Sequence, residues 1–523
     1  MTTPEPVGSF ALVLHSHLPW LSHHGTWPVG EEWLYQSWSS SYLPVFSVLR
    51  QLATEGRTNL VTLGMTPVLA AQLDDPYSVS EFATWLGFWT QRANQLACHG
   101  DDELRRVGHY EAGLARRRTT DFERNWAAGG SSTVRQLADS GVVELLSGPA
   151  THPFQPLLDD EVAAFALEVG RDDAALRIGR RPAGLWAPEC GYRPGLEDIY
   201  QQSGVTHFMV DGPTLLGVDR ATADAWTVGD SDVVAFGRDL DVTYRVWSPK
   251  KGYPGGQWYR DFHTFDHDTG IRPSRVTSTR TPSADKAPYD PVAARAAVEA
   301  DAHDFVDVVR RRLTELRAQR DGKPALVVAA YDTELFGHWW HEGPLWLDRV
   351  LRLLPQAGVH VTTLEQAVVN GAVAGSVEPH SGSWGSRKDW SVWAGDSVAD
   401  MVTDNDDLMR NWRKLVEAMR HAGYANTRNI MLDQLARNAL LALSSDWAFM
   451  VSKDSAADYA RRRHSEHHQD FRRLAHALTS ALDGSNTRWG RAWDLAASQR
   501  SMNGPFGHLD GRLLEADAVS SRG

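Results

Sequence analysis

Short apolar runs, each ending on polar or acidic side chains and separated by stretches of helical periodicity, limit how this 523-residue chain can fold. Residues 9–14 (Ser9-Phe10-Ala11-Leu12-Val13-Leu14) run into His15, Ser16 and His17. Residues 59–64 close on Thr66 and Pro67, and residues 142–146 end in Ser147-Gly148-Pro149 and a His152-Pro153-Phe154 loop. Residues 183–185 lead into Trp186-Ala187-Pro188-Glu189, residues 206–210 into Asp211, and residues 325–330 into Tyr331-Asp332-Thr333-Glu334. Helical stretches at residues 42–52, 160–178 and 292–320 lie between them, and residues 344–364 add a last helix and strand. This alternation predicts an α/β fold with a parallel sheet, because parallel neighbours need crossover connections. Polar residues at the strand ends predict a barrel whose active face collects them. About seven strands are legible, one fewer than in the commonest barrel.

Two regions break the alternation. Residues 74–140 carry no strand signal and read as a helical insertion on a barrel loop. From residue 381 to 523 the periodicity is helical, notably at residues 406–419, 430–443 and 455–482. The expected organisation is therefore a barrel over residues 1–380 and a C-terminal helical domain that adds aromatics to the barrel mouth. Residues 233–263, rich in glycine, proline and aromatics, read as a long functional loop. Residues 266–290 read as polar surface, and the tail after residue 510 as loosely held.

Bulk properties narrow the partners. A net charge of -13 repels nucleic-acid phosphates and suits a neutral polymer or small molecule. No stretch approaches the roughly 20 apolar residues of a membrane span. The start of the chain has no basic, apolar signal pattern, and Cys98 and Cys190 suggest no disulfide framework, so a cytoplasmic protein is expected. The chain has 21 tryptophans. Indoles fill cores, and they also stack on the apolar faces of sugars.

Three groups of side chains can carry chemistry. In Leu185-Trp186-Ala187-Pro188-Glu189-Cys190-Gly191-Tyr192, Pro188 keeps Ala187 out of helical geometry, so the strand ends in a turn that presents Glu189 between Trp186 and Tyr192. Glu189 there can be a nucleophile or a cap for the next helix. His15 and His17 point to one side of an extended strand, as zinc ligands, as hydrogen-bonding imidazoles along a cleft, or as a satisfied polar pair. Asp332 ends another strand. Glu189 and Asp332 together supply the two carboxyl groups that glycoside cleavage requires, or are structural acids paired with arginine.

His15-Ser16-His17-Leu18-Pro19, the Gly148-Pro149 loop, Trp186-Ala187-Pro188-Glu189-Cys190-Gly191, Tyr331-Asp332-Thr333-Glu334 and Asp446-Trp447 occur in the order of the five motif regions of glycoside hydrolase family 57, which the chain resembles. Arg238-Asp239, Val246-Trp247-Ser248, Gly252-Tyr253-Pro254-Gly255, Tyr259-Arg260 and the helical last third are similar to the family's 1,4-α-glucan branching enzymes. The resemblance implies an incomplete (β/α)7 barrel with a helical insertion and a C-terminal all-helical domain. It implies a retaining mechanism on α-1,4-glucan with no metal or organic cofactor; separately, a monomer is expected. It also implies Glu189 as nucleophile and Asp332 as general acid/base. Arg260, Gly270, Trp384 and Asp446 match glucan-binding positions, His15, His17 and Trp186 would line the reacting subsite, and Trp393 would help hold the acceptor.

The chain departs from that pattern in two places. Where the branching relatives carry a tyrosine-tipped loop over the site, residues 219–230 are short and hold Trp226 instead. Where they place a glutamine, this chain has Ser455. Three other readings stay open from sequence: a 4-α-glucanotransferase or α-amylase of the same family, a zinc amidohydrolase built on His15 and His17, and a non-catalytic glucan-binding protein.

Overall fold

The structure, a computed structural model, describes residues 6–514 apart from residues 28, 216–220, 249–251 and 485. One sheet carries ten strands: β1 (Ser9–Ser16), β2 (Val61–Met65), β3 (Val143–Ser147), β4 (Gly184–Leu185), β5 (His207–Asp211), β6 (Ala225–Val228), β7 (Val234–Arg238), β8 (Leu326–Asp332), β9 (His360–Thr362) and β10 (Val373–Val377). Seven of them run parallel in the order β7-β5-β4-β3-β2-β1-β8. The sheet curls until its edges meet, where the Asp239 N–H donates to Val328 O at 2.8 Å. This is the incomplete seven-stranded barrel. The expected count of about seven strands falls short of ten because β6 and β10 extend one edge and β9 pairs only with β1. Three of the ten span four residues or fewer, too short to register as periodicity.

The two-residue period of a strand decides what enters the barrel. On β1, Phe10, Leu12 and Leu14 pack outward with Phe305 of helix Pro291–Ala318, whereas Ala11 and Val13 join Leu146, Met209, Phe236, Val328 and Ala330 inside. Continuing the alternation sends His15 of β1, Asp332 of β8, Asp211 of β5 and Arg238 of β7 to that same inner side, at the C-terminal strand ends. The apolar interior lies below and the polar residues lie at the rim.

Helices Pro76–Ala97 and Asp102–Asn125 form the helical insertion, and five helices from Ala399–His421 to Asn486–Met502 form the C-terminal helical region. Three local expectations are corrected. Residues 233–263 are not one loop: β7 and helix Leu240–Val246 occupy their first half. Residues 266–290 are not plain surface, since Ile271 and Tyr289 are buried with Ala93, Leu96 and Val107 of the insertion, and apolar residues separated by polar turns gave no periodicity to read. The tail is held as far as it is described: Leu514 is buried and the Gly511 N–H donates to Asp433. Residues 515–523 lie outside the described residues.

Helix Asp160–Ile178 approaches the loop after β3 so closely that a Cβ on Gly170 would lie 2.1 Å from Gly148 O and 2.8 Å from Ala150 N. Gly170→Ala is therefore expected to cost about 1–3 kcal/mol by overpacking. The check is the urea midpoint, which should fall with the slope m unchanged; an unshifted midpoint contradicts the close approach.

Candidate active site

After β4, Ala187 is still extended, Pro188 starts a single 3-10 turn, and Glu189 enters the left-handed region at φ 61°, ψ 19°, followed by Cys190 at φ 49°. Non-glycine residues adopt this conformation only where the surroundings over-determine it. Here the Cys190 N–H donates to Ala187 O, the Gly191 N–H to Pro188 O, and the Trp384 N–H to Glu189 O, each at 2.9 Å. Gly191 is required by close packing: a Cβ there would lie 2.6 Å from the Phe154 ring. The turn leaves the Glu189 side chain 7% exposed.

Two donors reach the Glu189 carboxylate: Trp384 Nε1 donates to Oε2 at 2.7 Å and Ser445 Oγ to Oε1 at 2.8 Å. Ser445 Oγ is also 3.0 Å from His152 Nδ1. The His152 ring stacks on His17 at 3.8 Å, and His15 stacks on Trp186 at 4.3 Å and lies 5.0 Å from His152. His17 is pinned at both nitrogens, Nδ1 to Thr66 Oγ1 at 3.0 Å and Nε2 to Asp446 Oδ2 at 2.9 Å. These rings form one buried, stacked layer.

Asp332 ends β8 directly beside His15, its register partner on β1. Its side chain is open at the barrel rim while lying deep in the molecule, and among the described residues nothing hydrogen-bonds to its carboxylate. The strand stops there and turns, so Asp332 and Glu334 do not continue along one strand face. Glu334 instead accepts from the Tyr42 hydroxyl and, at 3.1 Å, from the His17 N–H. Tyr42 closes a π-helical turn, Trp38–Tyr42, of the kind often found at functional sites.

Burial pushes the Glu189 carboxyl up to about 7; Asp446 adds to this, while the bonds from Trp384 and Ser445 and the charge of His17 oppose it. Burial also raises Asp332 to about 6, against the charges of His17 and Arg238. Glu334 rises to about 8 through burial and the nearby Asp332. For His17, burial favours the neutral ring but Asp446 outweighs it and raises the pKa. His15 and His152 are driven well down by burial and so are neutral. Both nitrogens of His15 and Nε2 of His152 have no partner among the described residues.

Trp384 is clamped from below. The Arg238 guanidinium lies 5.4 Å from its ring centroid, and Lys388 Nζ is 3.3 Å from its carbonyl. Buried Asp211 bridges both cations, Arg238 Nε and Lys388 Nζ each lying 2.7 Å from its carboxylate.

The structure thus gathers Glu189, Asp332, His15, His17, Trp186, Trp384 and Asp446. Arg260 and Gly270 lie elsewhere, in an open pocket lined also by Trp85, Trp89, Phe265 and Trp339. Trp393 is buried and stacked on Phe154 at 4.6 Å, behind Trp384. Trp226 of β6 donates to Ala221 O, before the strand, and packs with sheet-edge residues such as Val228 and Val377. Sequence reasoning missed Tyr42, Thr66 and Ser445 and undervalued His152. Ser445 stood beside Asp446 in a motif, but nothing local linked it to Glu189.

Donor atoms of His17, His152 and Asp446 lie within 4.8 Å of one another and could hold a metal ion. Both His17 nitrogens and His152 Nδ1 are already hydrogen-bonded, so an ion there would displace the bonds that fix the stacked layer.

Similarity to known proteins is extensive. The profile described as glycosyl hydrolase family 57 matches residues 11–373, and one described as the 1,4-alpha-glucan branching enzyme C-terminal region matches residues 407–513. A probable 1,4-alpha-glucan branching enzyme of Mycobacterium tuberculosis is 51% identical over 532 residues, covering 98% of this chain and 99% of its own. The crystal structure of a branching enzyme from Thermococcus kodakaraensis superposes with a TM-score of 0.90 at 30% identity, covering 98% of this chain and 97% of its own. That of an alpha-amylase from Thermotoga maritima superposes with a TM-score of 0.82 at 25% identity, covering 97% and 99%.

Arg260 is held by buried Glu111, whose carboxyl would be raised by burial but is brought down to about 2 by Arg260 and Arg118. Glu111→Gln leaves Arg260 buried without its counter-charge and should cost about 3–5 kcal/mol in denaturant unfolding. The contribution of Glu111 is full above its unfolded pKa and fades as pH falls towards about 2. The variant should lack that acid-side loss, and an unchanged acid limb of stability contradicts the pairing.

Proposed function

The chain belongs to glycosyl hydrolase family 57, and we propose that it is a 1,4-α-glucan branching enzyme in which Glu189 is the nucleophile and Asp332 the general acid/base. A Glu189 oxygen attacks the anomeric carbon, the bond from that carbon to the leaving chain breaks, and Asp332 passes its proton to the leaving oxygen. Asp332, now ionised, takes the proton of a glucan 6-hydroxyl, whose oxygen displaces Glu189 and completes an α-1,6 branch. The mechanism retains configuration and uses the protein's side chains alone.

The observation that carries the two roles is an asymmetry. Among the described residues Glu189 receives two hydrogen bonds, which favour a carboxylate, and Asp332 receives none; burial still lifts Glu189 to about 7 and Asp332 to about 6, so the productive pair is the minor of the two one-proton forms. Neutral His15 and His152 carry buried nitrogens with no partner among the described residues, and Trp186 and Trp384 form an aromatic wall beside Glu189. Residues 1–380, with 74–140 inserted, act as the catalytic unit, and residues 381–523 complete its mouth. Arg260 and Gly270, with the aromatics of their cavity, hold a more distant part of the glucan. Trp393 acts from behind, by backing Trp384. Among the described residues no helix is long and apolar enough to cross a membrane. Two unpaired cysteines, Cys98 exposed and Cys190 buried, suit a reducing cytoplasm, where the enzyme works as a monomer.

The structural likeness to an alpha-amylase supports a second reading, in which water replaces the 6-hydroxyl and the chain is shortened. Incubation with amylose separates the two: linkage analysis should show new α-1,6 bonds, whereas reducing ends without them would favour hydrolysis. Glu189→Gln should abolish turnover with the fold intact, and retained activity would end the assignment. The productive form needs Glu189 ionised and Asp332 protonated. Lowering pH protonates Glu189 and raising it ionises Asp332, so kcat/KM should be bell-shaped with its maximum between about pH 6 and 7. A rate still climbing above pH 8 contradicts these roles.

A further inference from the structure

Both side-chain hydrogen bonds on Glu189 come from residues beyond the last strand of the sheet, β10, and the one from Ser445 starts a second contact, to His152. We infer that Ser445 is a positioning residue for Glu189, its hydroxyl proton directed onto the carboxylate by His152. This rests on the reading of Glu189 as nucleophile.

The proton count sets the direction. Ser445 Oγ has one proton and two polar neighbours, Glu189 Oε1 at 2.8 Å and His152 Nδ1 at 3.0 Å. An ionised carboxylate only accepts, so the serine proton points to Glu189. His152 Nδ1 must then carry the ring proton and donate to Ser445 Oγ. His152 is 4.0 Å from Glu189 Oε1, too far for a hydrogen bond, so it acts through the serine.

The backbone fixes this relay. The Ser445 N–H donates to His152 O at 3.0 Å, Pro153 and Ser444 form an antiparallel bridge, and the Thr151 hydroxyl bonds to Leu440 O. Thr151 and His152 take left-handed φ values of 66° and 59° to make these contacts. The loop after β3 is thus zipped to the start of helix Ser445–Ser452, and the zip ends on the nucleophile. The C-terminal helical region therefore sets the orientation and charge of Glu189 in addition to contacting substrate.

The test uses the full chain with amylose as substrate. A hydrogen bond to a charged group is worth roughly 10–100-fold, so Ser445→Ala should lower kcat by about that factor with KM changed less than about twofold. Loss of the donor raises the Glu189 pKa by about 1–2 units, which moves the optimum of kcat/KM up by about 0.5–1 unit. Ser445→Thr keeps the hydroxyl and should restore both the rate and the optimum. If Ser445→Ala does not fold, Ser445→Cys, a weaker donor of similar shape, should move the optimum in the same direction by less. A folded Ser445→Ala or Ser445→Cys enzyme with an unmoved optimum, or a Thr variant that fails to restore it, overturns the inference. Glu189→Gln separates the two levels: an active Glu189→Gln removes the nucleophile reading itself, whereas an inactive one beside an unmoved Ser445 optimum removes only the role of the serine.

Discussion

Glu189, the carboxylate we propose as the nucleophile, sits almost fully buried, and the rest of the structure answers that constraint. Taking an ionised carboxyl out of water costs several kcal/mol unless donors replace its hydration. Glu189 receives those donors from Trp384 and Ser445, one on each oxygen, from a residue whose backbone is left-handed. The strained turn is held by backbone bonds on both sides and by Phe154 packed against Gly191.

Each donor is itself held by a buried charge or ring. Trp384 rests over Arg238, which is bridged to Lys388 by Asp211; Ser445 rests on His152, which stacks on His17, which pairs with Asp446. The chain of contacts therefore runs from the inner faces of β1, β5 and β7 to residues after β10. It also carries charge: His17 lowers the pKa of both acids, and Arg238 that of Asp332. A site built this way ties the two protonation states to how well the C-terminal helices are seated.

Much of this was legible before any coordinates. Runs such as residues 9–14 and 325–330 are apolar on both faces because each strand is covered inside and out, and strands of that length stand out against helical neighbours. Glu189 and Asp332 were legible because each follows such a run directly, and His15 with His17 because strand alternation fixes their common side. What was not legible was short or non-local. β4 shows only two paired residues, β6 and β10 lie far apart in sequence and meet only at the sheet edge, and Ile271 has no periodic neighbours to mark it as core. Trp393 and Trp384 look alike in sequence, yet one is buried against Phe154 and the other touches the carboxylate.

The sequence by itself determined the layout: which runs become strands, that their ends share a face, and which two acids stand at those ends. Hydrophobic period and turn chemistry are local, so neighbouring residues suffice to specify them. The tertiary structure alone decided how those acids differ. Hydrogen bonds to Glu189 from residues 195 and 256 positions away, and the lack of any to Asp332 among the described residues, give the two carboxyl groups different environments. Such an asymmetry depends on the direction and burial of distant donors, which have no signature in the order of residues.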